Sequence, residues 1–513
     1  MNKARQYHSD LASLLLGIHH VPSALNTQIH GLVSDSRAVK QGDLFIALAG
    51  LKSRAEDYVD EAIARGAAAV LIDCDEKDRD KDREVHEDGS AIELYVPNLR
   101  HHVGEIAHRF FHKPSDELEV IGVTGTNGKT SVVNYIAQFF ASVGLSTAVI
   151  GTLGYGICAR GETLIETNHT TPGVVDVHRY LAHLRDAGAE LVAMEVSSHG
   201  LMQGRVEGVR FSGAVFTNLS RDHLDYHKTM NDYASAKARL FAWSSLRYVV
   251  VNIDDAYAQT IFQKVTPETR KIRFSTKKAA EVSVQDVTFG QKTHAEINVG
   301  VDHVTLNSPL LGEFNLYNLL AVLGVALARK SSARELESIN DVRAVAGRLQ
   351  TFAVPNQPLM VVDYAHTPDA LENVLRTLKP LCEGKLLTVF GCGGDRDKGK
   401  RKEMGTIARA LSSYSVLTSD NPRTEAPDAI LSDIESAFTD CDDYICIEDR
   451  EEAIAHAFEL ARTGDVILVA GKGHETYQEV NGERRYFSDA DCCSRLLGLD
   501  QDVERADSEE AKS

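Results

Sequence analysis

The sequence predicts an α/β protein of three domains: a small N-terminal α/β domain, a central doubly wound domain of phosphate-loop type, and a smaller doubly wound C-terminal domain. Three observations carry this. At 513 residues the chain suits about three domains of roughly 150 residues each. Two series of short Val- and Ile-rich runs alternate with helical periods, the pattern of parallel sheets covered on both faces. One of these runs leads directly into a Gly-rich turn, a Lys-Thr pair and a helix.

Hydrophobic residues at 43%, charged residues at 25%, 37 Gly and 12 Pro exclude collagen-like, disordered and membrane-embedded classes. One Trp among 17 Phe and 16 Tyr leaves a mainly aliphatic core. Lys and Arg number 55 against 74 Asp and Glu, and the formal charge of −19 argues against bulk binding of nucleic acid. Anions must then be held by local devices: Gly-rich loops, helix N-termini, single Arg or Lys residues, metal ions. The eight Cys include no Cys-x-x-Cys pair and read as reduced thiols of a cytoplasmic protein. No apolar run approaches the ~20 residues of a membrane span. The apolar stretch 11–18, broken by Ser13 and followed by two His, reads as an amphipathic helix and not a signal peptide.

Taken in order, strand-like pieces at 42–49, 68–72 and 94–96 surround one helical pattern at 62–66. The mixed-charge stretch 73–90 between them reads as a solvated loop. The first apolar series then runs through 120–123, 148–150, 191–196, 214–217 and 248–253, and a strand-rich interlude at 282–306 precedes a helix at 315–328. The second series is 360–364, 386–390, 416–419, 444–447 and 466–470. Domain limits of 1–113, 114–346 and 347–513 follow, with an acidic, disordered tail from 500.

The turn TGTNGKTS (124–131) is followed by Val132, Tyr135, Ile136, Phe139 and Phe140, one buried helix face. Backbone N–H groups of such a loop surround phosphates, Lys129 reaches the terminal oxygens, and Thr130 can ligate Mg²⁺. The loop is a variant, with Val123 where the Walker pattern has Gly and glycines at 122 and 125. It points to a nucleoside triphosphate without naming a reaction.

Ligands of open parallel sheets bind beyond the carboxyl ends of the strands, and four polar clusters sit there. In NHTTP (168–172), Thr171 before Pro172 is a candidate N-cap with Pro at N1. In MEVSSHGLMQGR (194–205), Glu195 ends an apolar strand, where a carboxylate is costly unless paired or metal-bound. FTNLSRDHLDYH (216–227) holds Asp222, His223, Asp225 and His227, with His223 a candidate second metal ligand. In YASAKARLF (233–241), residue chemistry alone makes Lys237 a solvated lysine. Further on, DYAHTPDAL (363–371), FGCGGDRDKGKR (390–401), SDNPRTEAP (419–427) and AGKGHE (470–475) all follow strands. Thr367 and Pro368 read as N-cap and first helical residue, and Arg396 and Arg423 could fork onto a carboxylate.

With TGTNGKT, EVSSHGL, FTNLSRDHLDYH, YAHTPDAL and DNPR in this order, and SDSR and GDLF before them, the chain resembles the Mur ligases, specifically their diaminopimelate-adding branch. The resemblance implies an N-terminal uridine-nucleotide domain, a central ATPase and a Rossmann-like domain for the incoming amino acid. It implies ligation of meso-diaminopimelate to UDP-N-acetylmuramoyl-L-alanyl-D-glutamate with ATP and Mg²⁺, by a cytoplasmic monomer with no nucleic-acid partner and no membrane insertion. By the same resemblance Ser34, Ser36, Leu51, Lys52 and Ser53 would hold the uridine end, and His169, Thr170, Thr171, Ser197, Gln203 and Arg205 the sugar-peptide. Gly125, Thr126, Asn127, Gly128, Lys129, Thr130, Ser131, Asn318 and Arg348 would face ATP. Thr130, Glu195, His223 and a carbamate on Lys237 would serve the metal, which reverses the solvated reading. Arg396, Asp420, Asn421, Pro422, Arg423, Gly471 and Glu475 would take diaminopimelate. Two positions depart from the family pattern: His169 replaces the usual Asn, and LKSRAED (51–57) lacks an Asp-Gly.

Three rivals stand beside this reading. Folylpolyglutamate synthetase shares the loop but not SDSR, GDLF or DNPR. The lysine-adding Mur homologue differs mainly at DNPR, where Arg423 suits an extra carboxylate. A nucleotide-switched scaffold would bind ATP without amino-acid-dependent phosphate release.

Overall fold

The computed structural model describes residues 7–48, 55–75, 83–85, 91–158, 164–167, 169–290, 292–439 and 441–499. Leu51, Lys52 and Ser53, much of the mixed-charge stretch and the acidic tail lie outside these residues.

The N-terminal sheet has five strands in the order Gly31–Val33, Asp43–Ala47, Ala69–Cys74, Ala91–Pro97, Arg83–Val85, parallel except for the last pair. The amphipathic helix expected over 11–18 is a single turn, Leu11–Leu14, whose Ser13 N–H donates to the side chain of Asp10. Leu11, Leu14 and Leu15 are buried there, so three apolar contacts are met without a longer helix. The helix expected at 62–66 spans Val59–Ala64. A second, Val103–Phe110, packs on the helix Val174–Asp186 that follows. That seam is tight: Val175 and Ala182 belong to the N-terminal core, and a Cβ on Gly104 would lie 2.2 Å from the Glu207 carbonyl oxygen.

The central sheet has ten strands. Its strand Glu119–Thr124 lies between parallel neighbours Leu191–Glu195 and Phe211–Phe216, so three polar loops leave one edge side by side. The helix Lys129–Ser142 buries Val132, Tyr135, Ile136, Phe139 and Phe140 as its spacing predicts. The strand-rich interlude is no separate unit. Val282–Phe289, Thr293–Val299 and Asp302–Ser308 extend the same sheet, the last two pairings antiparallel. The helix Glu313–Ala328 packs against Lys129–Ser142 and is apolar on nearly all sides, as a helix covered by both sheet and helix must be.

The C-terminal sheet runs Gln350–Phe352, Leu359–Asp363, Val466–Ala470, Leu386–Phe390, Tyr414–Leu417, Tyr444–Cys446, parallel after the first pair. Here Thr367 caps Pro368–Leu378 as expected, accepting from the Ala370 N–H with Pro at the first helical position. Among the described residues no helix is long and apolar enough to cross a membrane.

Candidate active site

The phosphate loop turns at Gly128, whose φ of 82° is left-handed and whose Cβ would meet Asn318 Oδ1 at 2.5 Å. Asn127 is held on both sides: its N–H donates to Asn218 Oδ1 at 3.0 Å and its carbonyl accepts from Thr217 Oγ1 at 2.7 Å. Lys129 folds back on the loop, its Nζ donating to the carbonyls of Gly125 (3.0 Å) and Thr126 (2.8 Å). Desolvation lowers its pKa, while Glu195 and Asp222 pull the other way.

Glu195, at the end of the neighbouring strand, is 1% exposed. Its carboxylate accepts from Thr152 N–H at 2.8 Å, Thr130 Oγ1 at 3.0 Å and Thr152 Oγ1 at 3.3 Å. These bonds are what a desolvated carboxylate needs. Thr152 escaped the sequence reading, although it follows directly on a strand end (Thr147–Gly151) at the same sheet edge.

Lys237 corrects the solvated reading: it is 1% exposed, on the helix Met230–Ala238. Its Nζ donates to the Gly125 carbonyl at 2.6 Å and sits 4.5 Å from the centre of the Tyr233 ring. Burial, reinforced by Lys129, drops its pKa well below the ordinary value against the pull of Asp222, favouring a neutral amine.

His223 has φ 53° and sits 3.3 Å from Asp222 Oδ2, with its ring 4.8 Å from that of His199. Its side chain is 44% exposed, and partial desolvation pulls its pKa down while Asp222 opposes. His227 is committed elsewhere: its Nε2 meets Ser198 Oγ at 2.9 Å and its ring stacks on Tyr233. Among the described residues no three His, Cys, Asp or Glu side chains form a metal cage. Glu195 with Thr130 still presents hard oxygen donors beside the phosphate loop, which suits Mg²⁺, a cation that keeps waters and takes phosphates with only one or two carboxylates.

Thr171 is not the expected N-cap. The helix begins at Val174 after Gly173, with no side-chain cap. The Thr171 hydroxyl donates instead to the Glu195 carbonyl at 3.0 Å and meets Ser197 Oγ at 3.1 Å, a tertiary bond that outweighs the local signal. Arg205 ties in the same cluster, donating to the Thr171 carbonyl at 2.8 Å and to Gln203 Oε1 at 2.9 Å. Thr170 meets Thr152 Oγ1 at 3.1 Å. His169 and Ser34 are exposed, and Ser36 is buried, donating to Glu61 Oε2 at 2.6 Å.

A cavity of about 770 Å³ brings together Thr126 to Ser131, Thr170, Glu195, His223, Asn318 and Arg348. The C-terminal lobe supplies its far wall, including Asp363, His366 and Asp369. Two bonds cross it: Arg348 Nη2 to Thr130 Oγ1 at 3.3 Å and Asn127 Nδ2 to Asp369 Oδ2 at 2.9 Å. Arg348 also lies 4.3 Å from the centre of the Tyr364 ring.

The proposed diaminopimelate residues do not line this cavity and gather in the C-terminal lobe instead. Arg396 and Arg423 flank Gly393, where a Cβ would lie 2.9 Å from Arg423 Nη1 and 3.9 Å from Arg396 Cγ. Arg423 has φ 55° and donates to the Gly394 carbonyl at 2.8 Å. Asn421 Nδ2 donates to Glu475 Oε2 at 2.8 Å. Beneath both loops, the buried Arg450 grips Asp489 and the carbonyls of Ser419 (3.2 Å) and Ala470 (2.9 Å). No motif pointed to Arg450, because its partners lie 20 to 39 residues away.

A phosphate loop facing a second doubly wound lobe across one cavity is the layout of a nucleotide-using α/β enzyme. Three family models match: the Mur ligase family catalytic domain over 28–111, the Mur ligase middle domain over 123–326, and the Mur ligase glutamate ligase domain over 347–473. The chain is 44% identical over 482 residues to the UDP-N-acetylmuramoyl-L-alanyl-D-glutamate–2,6-diaminopimelate ligase of Xanthomonas campestris pv. campestris (strain 8004), covering 93% of this chain and 95% of that protein. The protein of the same name from Coxiella burnetii (strain RSA 493 / Nine Mile phase I) is 42% identical over 497 residues, covering 94% and 99%. A solved structure of that name is 37% identical with a TM-score of 0.65, covering 92% of this chain and 95% of its own. The chain belongs to the Mur ligase family. A crystal structure of MurF from Acinetobacter baumannii, 16% identical with a TM-score of 0.64 and covering 96% and 99%, shares the fold.

Proposed function

We propose that the chain is the ATP-dependent ligase that adds meso-2,6-diaminopimelate to UDP-N-acetylmuramoyl-L-alanyl-D-glutamate, a cytoplasmic monomer acting on a cell-wall precursor. Residues 1–113 hold the uridine end, 114–346 the ATP, and 347–513 the amino acid. The observation that carries the reading is the shared cavity, lined by the phosphate loop on one side and the C-terminal lobe on the other.

The reaction must overcome charge. The γ-phosphoryl group passes to the D-Glu γ-carboxylate, giving an acyl phosphate and ADP. A neutral amine then attacks the acyl carbon, the C–N bond forms, phosphate leaves with the C–O electron pair, and the nitrogen gives up one proton to the departing phosphate. Two anions at ~4 Å repel by about 4 kcal/mol at an effective dielectric of 20. Lys129, swung from the loop carbonyls to the phosphates, offsets part of this, and Arg348 approaches the same phosphates from the C-terminal lobe. Mg²⁺, held by Glu195 and Thr130 with His223 beside them, would supply the remaining neutralisation. Lys237, neutral and buried, is suited to react with CO₂ and become a second carboxylate. Thr170, Thr171, Ser197 and Arg205 position the sugar-peptide next to Glu195. Closure of the C-terminal lobe excludes the water that would hydrolyse the acyl phosphate.

The test is phosphate release from ATP with the UDP-dipeptide and meso-diaminopimelate, L-lysine or no amino acid. Release confined to meso-diaminopimelate is expected. Release that ignores the UDP-dipeptide would discard the reading.

A further inference from the structure

Lys472 lies two residues past the strand Val466–Ala470 and is a fully buried cation to which none of the roles above falls. Its Nζ donates to Asn421 Oδ1 at 3.1 Å and to Glu475 Oε2 at 3.1 Å. Asn421 closes the triangle, its Nδ2 donating to the same Glu475 oxygen, while its Oδ1 also accepts the Glu479 N–H at 2.9 Å. An ammonium group only donates and a carboxylate only accepts, so this pair allows the Asn421 amide one orientation. Both bonds to Glu475 end on Oε2. Among the described residues Oε1 accepts none, and the Glu475 side chain is 16% exposed.

We infer that Lys472 is a positioning residue for the acceptor amino acid: it locks Asn421 and one oxygen of Glu475, so that the other oxygen is presented to an ammonium group at the acceptor's second, non-reacting centre. This rests on the diaminopimelate reading and deepens it. Diaminopimelate carries an ammonium and a carboxylate at that centre, and Arg423, two residues beyond Asn421, is the cation for the carboxylate. Without Lys472 the carboxylate loses its buried counter-charge, and only the Asn421 amide, itself oriented by the Glu479 N–H, still holds Glu475 Oε2. Glu475 is then free to turn its charge away from the ligand. The alternative, a staple that merely holds two loops together, would disturb all substrates alike.

The wild type gives one test that no folding defect can blur. With 2-aminopimelate, which lacks the distal ammonium, the acceptor KM should exceed that for meso-diaminopimelate at least tenfold, and equal KM values would overturn the inference. In Lys472→Met the two acceptors should converge. The KM for meso-diaminopimelate should rise at least tenfold while those for ATP and the UDP-dipeptide stay within twofold. Lys472→Met combined with Glu475→Gln should be no more than twofold worse than the worse single variant, since one residue acts through the other. Equal KM changes for all three substrates, or effects that multiply in the double variant, would overturn it. A wild type that releases no phosphate with meso-diaminopimelate overturns the function proposed above and this inference with it. Release by the wild type with an unchanged KM in Lys472→Met overturns this inference alone.

Discussion

Lys237 Nζ donates to the carbonyl of Gly125 at 2.6 Å, so a lysine from one helix is pinned to the Gly-rich loop 112 residues earlier in the chain. Burial, and then the Lys129 charge that an ammonium there would face, is why its pKa falls so far. Replacing Lys237 by Ala should therefore cut tripeptide formation at least a hundredfold while leaving the fold intact. Initial rates and circular dichroism of the variant check both halves.

Lys129→Ala should abolish turnover by removing the cation proposed to meet the transferred phosphoryl group. Isothermal titration with a non-hydrolysable ATP analogue should show affinity reduced at least tenfold, and retained affinity would place the lysine's role elsewhere.

Arg423→Ala should raise the KM for meso-diaminopimelate at least tenfold and that for ATP less than threefold. The guanidinium belongs to the C-terminal lobe, beside Gly393 and Gly394 and away from the cavity at the phosphate loop. Equal effects on both substrates would remove it from the acceptor site.

Arg450 and Asp489 are both fully buried and share two bonds of 2.8 Å. Removing one partner of such a pair typically costs about 3–5 kcal/mol, because the other charge is stranded. Arg450→Met should lower urea-unfolding stability by about that amount. Arg450→Met with Asp489→Leu should cost less than the two single changes added together.

Acid should weaken the seam between the first two lobes. Burial pushes the His178 imidazole down to about 3, against about 6.5 in an unfolded chain. Between those values the unfolded chain carries a proton that the native state lacks. His178's contribution is thus whole above about pH 6.5 and declines toward pH 3, by up to about 1.4 kcal/mol per pH unit. His108, its ring 5.5 Å away, is lowered by burial too, with Asp116 opposing, and acts in the same direction. The urea midpoint should drop between pH 7.5 and 5.5, and drop less in His178→Asn. Identical slopes would clear His178.

The parallel sheets were the most legible part of the sequence. Leu386–Phe390 and Val466–Ala470 coincide end to end with their apolar runs, since a strand covered on both faces must be apolar throughout. The phosphate loop was legible because the strand, the turn and the helix face agree. Lys237 is not legible from its neighbours: its hydrogen-bond partner is a carbonyl 112 residues away in sequence. Thr171 misled for the converse reason, a strong local cap signal overruled by the backbone of Glu195. Lys472 stands within AGKGHE (470–475), yet only the fold brings it against Asn421, 51 residues back.

The close approach of Gly104 to the Glu207 carbonyl, with Val175 and Ala182 sunk into the N-terminal core, has a practical consequence for engineering. The N-terminal lobe is not an interchangeable cartridge. A chimaera that borrows residues 1–113 from a homologue must bring glycine at its equivalent of 104, or its two parts will sit ajar at the seam.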